Sequence, residues 1–145
     1  MNKGQSMFEV VIALFIISMI IVGIVSLSTV SLSNSIFSRN KNLAGKYSQE
    51  AIEWLRSERE KDQSIFLINT QTAVYCLQTL EWINTGTCGS VEVIAGTIFR
   101  REISFITTTV SGKKITEAEA ITYWNDSKGY HEAKSVTNFN DIREQ

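Results

Sequence analysis

Proline is missing from all 145 residues, and between Glu9 and Arg39 there is neither an acid nor a base. The first absence removes the residue that most sharply kinks or ends a helix. The second removes the charges that keep a surface helix in water, so this stretch does not read as an ordinary solvated element. Histidine occurs once, at His131, in an expected strand with no motif around it. Without an accompanying set of acid, base and nucleophile, an enzyme is not expected. The carboxylate pairs Glu58/Glu60 and Glu117/Glu119 have no glycosidase-like context and read as solvated faces. Cysteine occurs only at Cys76 and Cys88, with no further cysteines or histidines at the spacing of a zinc site. A disulfide is the better reading, and it implies an oxidising compartment. An excess of one charge is also missing: the formal net charge is −1, with acids and bases interspersed. That argues against a nucleic-acid partner, which needs a strongly basic surface. No cofactor, metal or small-molecule substrate is expected.

What is present is a segregation. The run 10–27 interrupts its aliphatic residues only with Phe15, Ser18, Gly23 and Ser26, and as a helix it is long enough to cross a bilayer core of roughly 30 Å. A secretory signal peptide is the competing reading, but the run is too long for one, and Ser26-Leu27-Ser28 is only a poor cleavage site. No break follows. The next glycine after Gly23 is Gly45, and Ala44, Tyr47, Ala51 and Leu55 then recur at steps of three and four, leaving Lys46, Gln49, Glu50, Glu53 and Arg56 on other faces. One continuous helix is expected from Gln5 to about Lys61, roughly 85 Å long at the α-helical rise. It would be exposed in its first half and packed in its second.

Beyond the helix the pattern changes to β-branched and aromatic residues punctuated by turn residues. Strands are expected over 96–110, 113–124 and 130–139, joined by turns at Ser111-Gly112 and Asp126-Ser127-Lys128-Gly129. Asn125-Asp126-Ser127 also matches a glycosylation acceptor pattern, though a hairpin turn explains it better. In the first strand Phe99, Ile103 and Phe105 share a face, with Arg101 as the charged exception. In the second, Ala118, Ala120 and Thr122 line up with Trp124, and this small face is expected to pack on the helix. The segment 65–93 is expected to be an irregular connection holding both cysteines, with short extended pieces at 72–77 and 80–83. The expected fold is α+β: a long N-terminal helix packed on a small antiparallel sheet. The parts are a leader at 1–4, a membrane or assembly helix at 5–30, an amphipathic helix at 31–62, the disulfide-bearing connection at 63–95 and the sheet at 96–145. Residues 31–145 would form one domain.

Glu9 is the informative residue, because a carboxylate in hydrocarbon costs several kcal/mol unless a cation compensates it. A glutamate at the interface end of the helix, snorkelling or protonated, is the plain alternative. The string around it, Lys3-Gly4-Gln5-Ser6-Met7-Phe8-Glu9-Val10-Val11-Ile12-Ala13-Leu14, resembles the class III leader of type IV pilins and pseudopilins: a short basic leader ending in glycine, then an apolar helix with glutamate at its fifth residue. The resemblance implies that prepilin peptidase cuts after Gly4, that Gln5 becomes a methylated N-terminus, and that Glu9 pairs with the N-terminal amine of an adjacent subunit. It is specific over residues 3–27 and looser beyond. Two departures are Gln5, where the family most often has phenylalanine, and the absence of the family's helix-bending proline. A glutamine can also cyclise, which would remove the amine's charge. Arg39, Lys41 and Lys46 after the run outnumber Lys3 before it, so the positive-inside rule does not favour a cytoplasmic leader.

The resemblance implies a structural filament subunit, at first a single-pass membrane protein and then part of an extracellular filament. Its partners would be further copies or related pilins, prepilin peptidase, and the membrane before assembly. The compact C-terminal part looks more like minor pilins and pseudopilins than abundant subunits. The alternatives are a pseudopilin of a type II secretion-like system and a membrane-tethered surface binding module.

Overall fold

A computed structural model describes residues 7–110 and 113–140, so the expected turn at Ser111-Gly112 lies outside the described residues. The elements are α1 (Met7–Lys61), α2 (Gln63–Asn69), β1 (Val74–Cys76), β2 (Asn84–Thr85), β3 (Arg100–Val110), β4 (Lys113–Asp126) and β5 (Gly129–Asn140). All strand pairs are antiparallel, in the order β2-β1-β3-β4-β5. The chain divides into two units, Met1–Arg39 and Asn40–Gln145. The second contains the α+β fold: the later turns of α1 packed on a five-stranded sheet.

Small residues govern that packing. Ala44, Ser48, Ala51, Ile52 and Leu55 are buried on α1, spaced so that they share one helical face. Opposite them, Ala118, Ala120, Thr122 and Trp124 are buried on β4, so the small face of this strand does turn toward the helix. On β3, Ile103 and Phe105 are buried with Arg101 between them and the preceding Phe99. The period-two pattern placed all four on one side, and that is where they lie.

The interior has two apolar clusters. One joins Ala44, Phe99, Trp124 and Ala133; the larger is built from residues that include Ala51, Leu55, Phe66, Tyr75, Ile103, Ala118 and Phe139. On each contributing element the residue between the clusters is polar: Ser48 on α1, Arg101 on β3, Thr122 on β4. These three form a buried polar layer. The Ser48 hydroxyl is 2.9 Å from both Thr122 Oγ1 and the Ala133 carbonyl. Having one proton, it satisfies both by donating to the carbonyl and accepting from the threonine. Arg101, whose side chain is 3% exposed, pairs with Glu50 Oε2 at 2.7 Å. It also donates from Nε to the Leu77 carbonyl and from Nη1 to the Tyr47 carbonyl, both at 3.2 Å. Burial pulls the Arg101 pKa down from its ordinary value, and Glu50 counters it. One guanidinium thus binds the helix, the sheet and the segment after β1.

The connection between helix and sheet is more ordered than its sequence suggested. Asp62 caps α2, its Oδ1 accepting from the Ser64 and Ile65 amides at 2.8 and 3.1 Å, which satisfies two donors that a helix start leaves unpaired. The second extended piece is Asn84–Thr85, pairing with β1, rather than 80–83. The preceding residues turn instead, which brings Trp82 against Trp54, Tyr75 and Phe66 and its Nε1 to Glu58 at 3.1 Å. The strand expected from Gly96 begins at Arg100, because residues 94–99 close on themselves: the Ile94 amide donates to the Phe99 carbonyl and the Thr97 amide to the Ile94 carbonyl. Gly96 sits in this turn at φ 73, a conformation that side chains disfavour. The disulfide Cys76–Cys88 closes a sequence separation of 12 with a Cα–Cα distance of 4.9 Å, and a loop of this size contributes about 3 kcal/mol in the chain-entropy picture.

The sheet's outer face carries a second polar group. The Tyr123 hydroxyl donates to Glu102 Oε1 at 2.6 Å, the same oxygen that accepts the Cys88 amide at 2.7 Å, while Arg100 lies 5.7 Å over the Tyr123 ring. Burial, then the Glu102 carboxylate, pushes the phenol pKa up to about 12, with Arg100 opposing.

Two predictions follow from these polar groups. Removing the Arg101 guanidinium leaves buried carbonyls unpaired and a void, so Arg101→Ala is expected to cost about 3 kcal/mol or more in denaturant unfolding, and Glu50→Gln about 1–2 kcal/mol because Glu50 is half-exposed. An Arg101→Ala protein with an unchanged midpoint would contradict the polar-layer account. For Tyr123 the folded pKa is raised, so its contribution is complete below the free phenol value of 10.0 and is lost as pH climbs through about 12. Tyr130 is raised to about 12 as well, so phenolate absorbance is expected to show two late-titrating tyrosines, of which Tyr123→Phe removes one; loss of a tyrosine that titrates near the free value instead would contradict the assignment.

Candidate functional site: the uncharged helical run

In the first unit, α1 exposes large apolar side chains around its whole circumference, Ile16, Ile17 and the consecutive Met19, Ile20, Ile21 and Val22 among them, each more than half exposed. Successive residues are about 100° apart on a helix, so such a run leaves no polar side. The helix is long and apolar enough to cross a membrane, compatible with a single-pass anchor. Exposed apolar area on this scale marks a surface that has to be covered by lipid or protein.

The polar groups inside the run are handled locally. The Ser18 hydroxyl donates to the Phe15 carbonyl at 2.8 Å and the Thr29 hydroxyl to the Val25 carbonyl at 2.9 Å. Back-bonding to the preceding turn leaves these hydroxyls needing no water, the condition that a hydrocarbon environment sets. At Gly23 an added Cβ would meet nothing within 4 Å. The described fold therefore does not demand glycine there.

Glu9 lies in the first turn of the described helix and is exposed. Among the described residues it has neither ion pair nor hydrogen-bond partner for its carboxylate, and the next basic residue along the chain is Arg39. Gly4 and Gln5, where processing was expected, lie outside the described residues. Cys76 and Cys88 are joined, far along the chain from Glu9.

The remaining sequence candidates have structural partners. His131 lies in β5, in a strand as expected; its Nε2 is 3.0 Å from Asp126 Oδ1 and its ring lies 5.2 Å from Trp124. Asp126 also accepts the Lys128 amide at 2.7 Å, and this bond first, with His131 adding to it, holds the carboxyl below its usual range. Asn125-Asp126-Ser127 thus runs into a tight β4–β5 hairpin. Among the described residues no three of His, Cys, Asp and Glu converge as metal ligands. The pairing of Glu50 with Arg101 had no sequence signal beyond the spacing of a charge on an otherwise apolar strand face.

Among the described residues every buried one lies at Ala44 or later. A chain beginning at Asn40 is therefore expected to be soluble without detergent and to keep its disulfide, with a thermal midpoint within about 5 °C of the full chain's; the full chain is expected in the alkali-resistant membrane pellet. A soluble full chain, or an unfolded shortened one, would contradict this division of labour. Comparison with family models, curated proteins and solved structures gives no match to this chain.

Proposed function

We propose that the chain is a structural subunit of a type IV pilus or related filament, cut by prepilin peptidase after Gly4 and assembled through its apolar helix. The observation that carries the proposal is the charge-free run of exposed apolar residues led by one carboxylate, Glu9, that has no partner among the described residues. Cleavage after Gly4 would create an amine four residues before Glu9. In a low-dielectric environment each of these two charges needs the other, and their attraction is strong and little screened there. Processing and docking are then one coupled event: only a cut subunit supplies the cation that a neighbour's Glu9 lacks.

The apolar run serves twice in this reading, as membrane anchor before assembly and as helix-to-helix contact afterwards. Lipid contacts are exchanged for protein contacts of equal polarity, so the exchange is governed by packing and by the charge pair rather than by hydrophobicity. The disulfide suits an oxidising exterior for residues 40–145. Function resides in polymerisation, with no catalytic step.

The test is to neutralise Glu9. Glu9→Ala and Glu9→Gln subunits are expected to reach the membrane at normal levels, yet sheared surface filament is expected to fall by more than about tenfold, the factor corresponding to roughly 1.4 kcal/mol per contact. Wild-type filament from Glu9→Ala would contradict the proposal. Membrane-bound Glu9→Ala subunits that retain every surface activity would favour a tethered binding module.

A further inference from the structure

We infer that the cavity where the end of α1 and α2 meet the sheet binds an acidic saccharide unit, a hydroxylated ring bearing a carboxylate. The cavity is about 540 Å³, within the range of small-ligand sites. It lies wholly within the second unit and does not depend on the filament reading.

Its base consists of groups already committed. Phe66 and Phe139 meet edge to face at 5.0 Å and are almost fully buried. The Thr116 hydroxyl is bonded to Thr107 at 3.2 Å, and the Thr70 hydroxyl donates to the Leu67 carbonyl at 3.2 Å. Around them stand side chains that are not committed. Gln63 and Gln71 and the Lys114 ammonium line the cavity without a side-chain hydrogen bond or ion pair among the described residues. Arg59 gives Nη2 to the Asn140 carbonyl at 3.1 Å and lies 5.6 Å over the Phe139 ring, with no carboxylate partner among the described residues. Among the described residues no acid lines the cavity.

Elsewhere in the unit Arg56, Lys61, Arg101 and Lys134 are each paired with a glutamate, while Lys46, Arg100, Lys113 and Lys128, like Arg59 and Lys114, have no carboxylate partner among the described residues. What distinguishes Arg59 and Lys114 is that they line the same cavity. Two cations without carboxylates facing one concave space call for an anion. Arginine's planar fork matches a carboxylate, and lysine adds a point charge. The two carboxamides each offer a donor and an acceptor, the combination that neighbouring hydroxyls on a ring require. Phe66, Leu67 and Phe139 give the cavity an apolar wall about as extensive as its polar one, which suits the carbon face of a hydroxylated ring. Charge, hydroxyls and modest apolar contact together describe a carboxylated sugar.

The experiment uses the full chain in detergent micelles, titrated with glucuronate and, separately, with glucose and acetate while backbone amide resonances are followed. Glucuronate is expected to give saturable shifts confined to α2 and to the neighbourhood of Thr107, Lys114 and Asn140. Dissociation constants of about 1–10 mM are expected, with glucose and acetate at least about tenfold weaker. Lys114→Gln is expected to weaken glucuronate several-fold without disturbing other resonances, and Gln71→Ala to weaken glucuronate more than acetate. Several results would overturn the inference: no saturable shift, an equal response to acetate, or binding unaffected by Lys114→Gln. So would tighter binding of a short peptide through its free C-terminal carboxylate, or binding that appears only after residues 141–145 are removed.

Discussion

A helix satisfies its backbone wherever it is placed, but its side chains need a matching environment, and α1 presents two that differ. From Val10 to Leu27 apolar side chains point in every direction; from Ala44 on, one face is small and buried and the others are charged. Water suits only the second pattern. Each organisational feature follows from this split: the sheet has something to pack on only where the helix becomes one-sided, and the earlier run is left to find lipid or protein.

Where the helix is one-sided, polarity supplies what small residues cannot. Alanines permit close approach, but several registers of an alanine-rich face would pack comparably well on another small face. Ser48, Thr122 and Arg101 fit in one arrangement, because each is buried and would otherwise be left without partners. Arg101 matters most: a half-exposed glutamate is its anion among the described residues, and two carbonyls accept its further N–H groups. The edge strand β5 is held by related means, with Lys41 donating to the Glu132 carbonyl and Arg59 to the Asn140 carbonyl. Side chains from α1 thereby occupy acceptors that an open sheet edge would offer to another strand.

Much of this was legible in the sequence, and the reasons differ by element. The uncharged run and the three long strands are strong periodic or compositional signals, and the small face of β4 could be chosen because close helix–sheet contact needs small side chains. The two cysteines left each other as the only covalent partners. Ser48 was not picked out, because a serine on a helix is as much at home on its wet side; its role depends on Thr122, 74 residues away. Glu50 was assigned to an outer face, and its link to Arg101 depends on the same distant packing. The short helix α2 was not foreseen, because seven residues are too few for periodicity to speak and its cap, Asp62, emerges only in the structure. Asn84–Thr85 forms a strand only because the turn that buries Trp82 delivers it to β1. For the candidate site, Glu9 was legible as an anomaly of charge, whereas the cavity beside α2 was not, because Arg59, Gln71 and Lys114 are brought together from three separate elements.

The account turns on whether a new amine is made next to Glu9. Intact mass and N-terminal sequencing of the protein from its native membrane or sheared surface fraction test this most directly. A mature chain that starts at Gln5, carrying a methyl group and a free amine, is the predicted result. A chain that retains Met1, or one cut after the apolar run, would contradict it, since neither would place a cation within reach of a neighbour's Glu9.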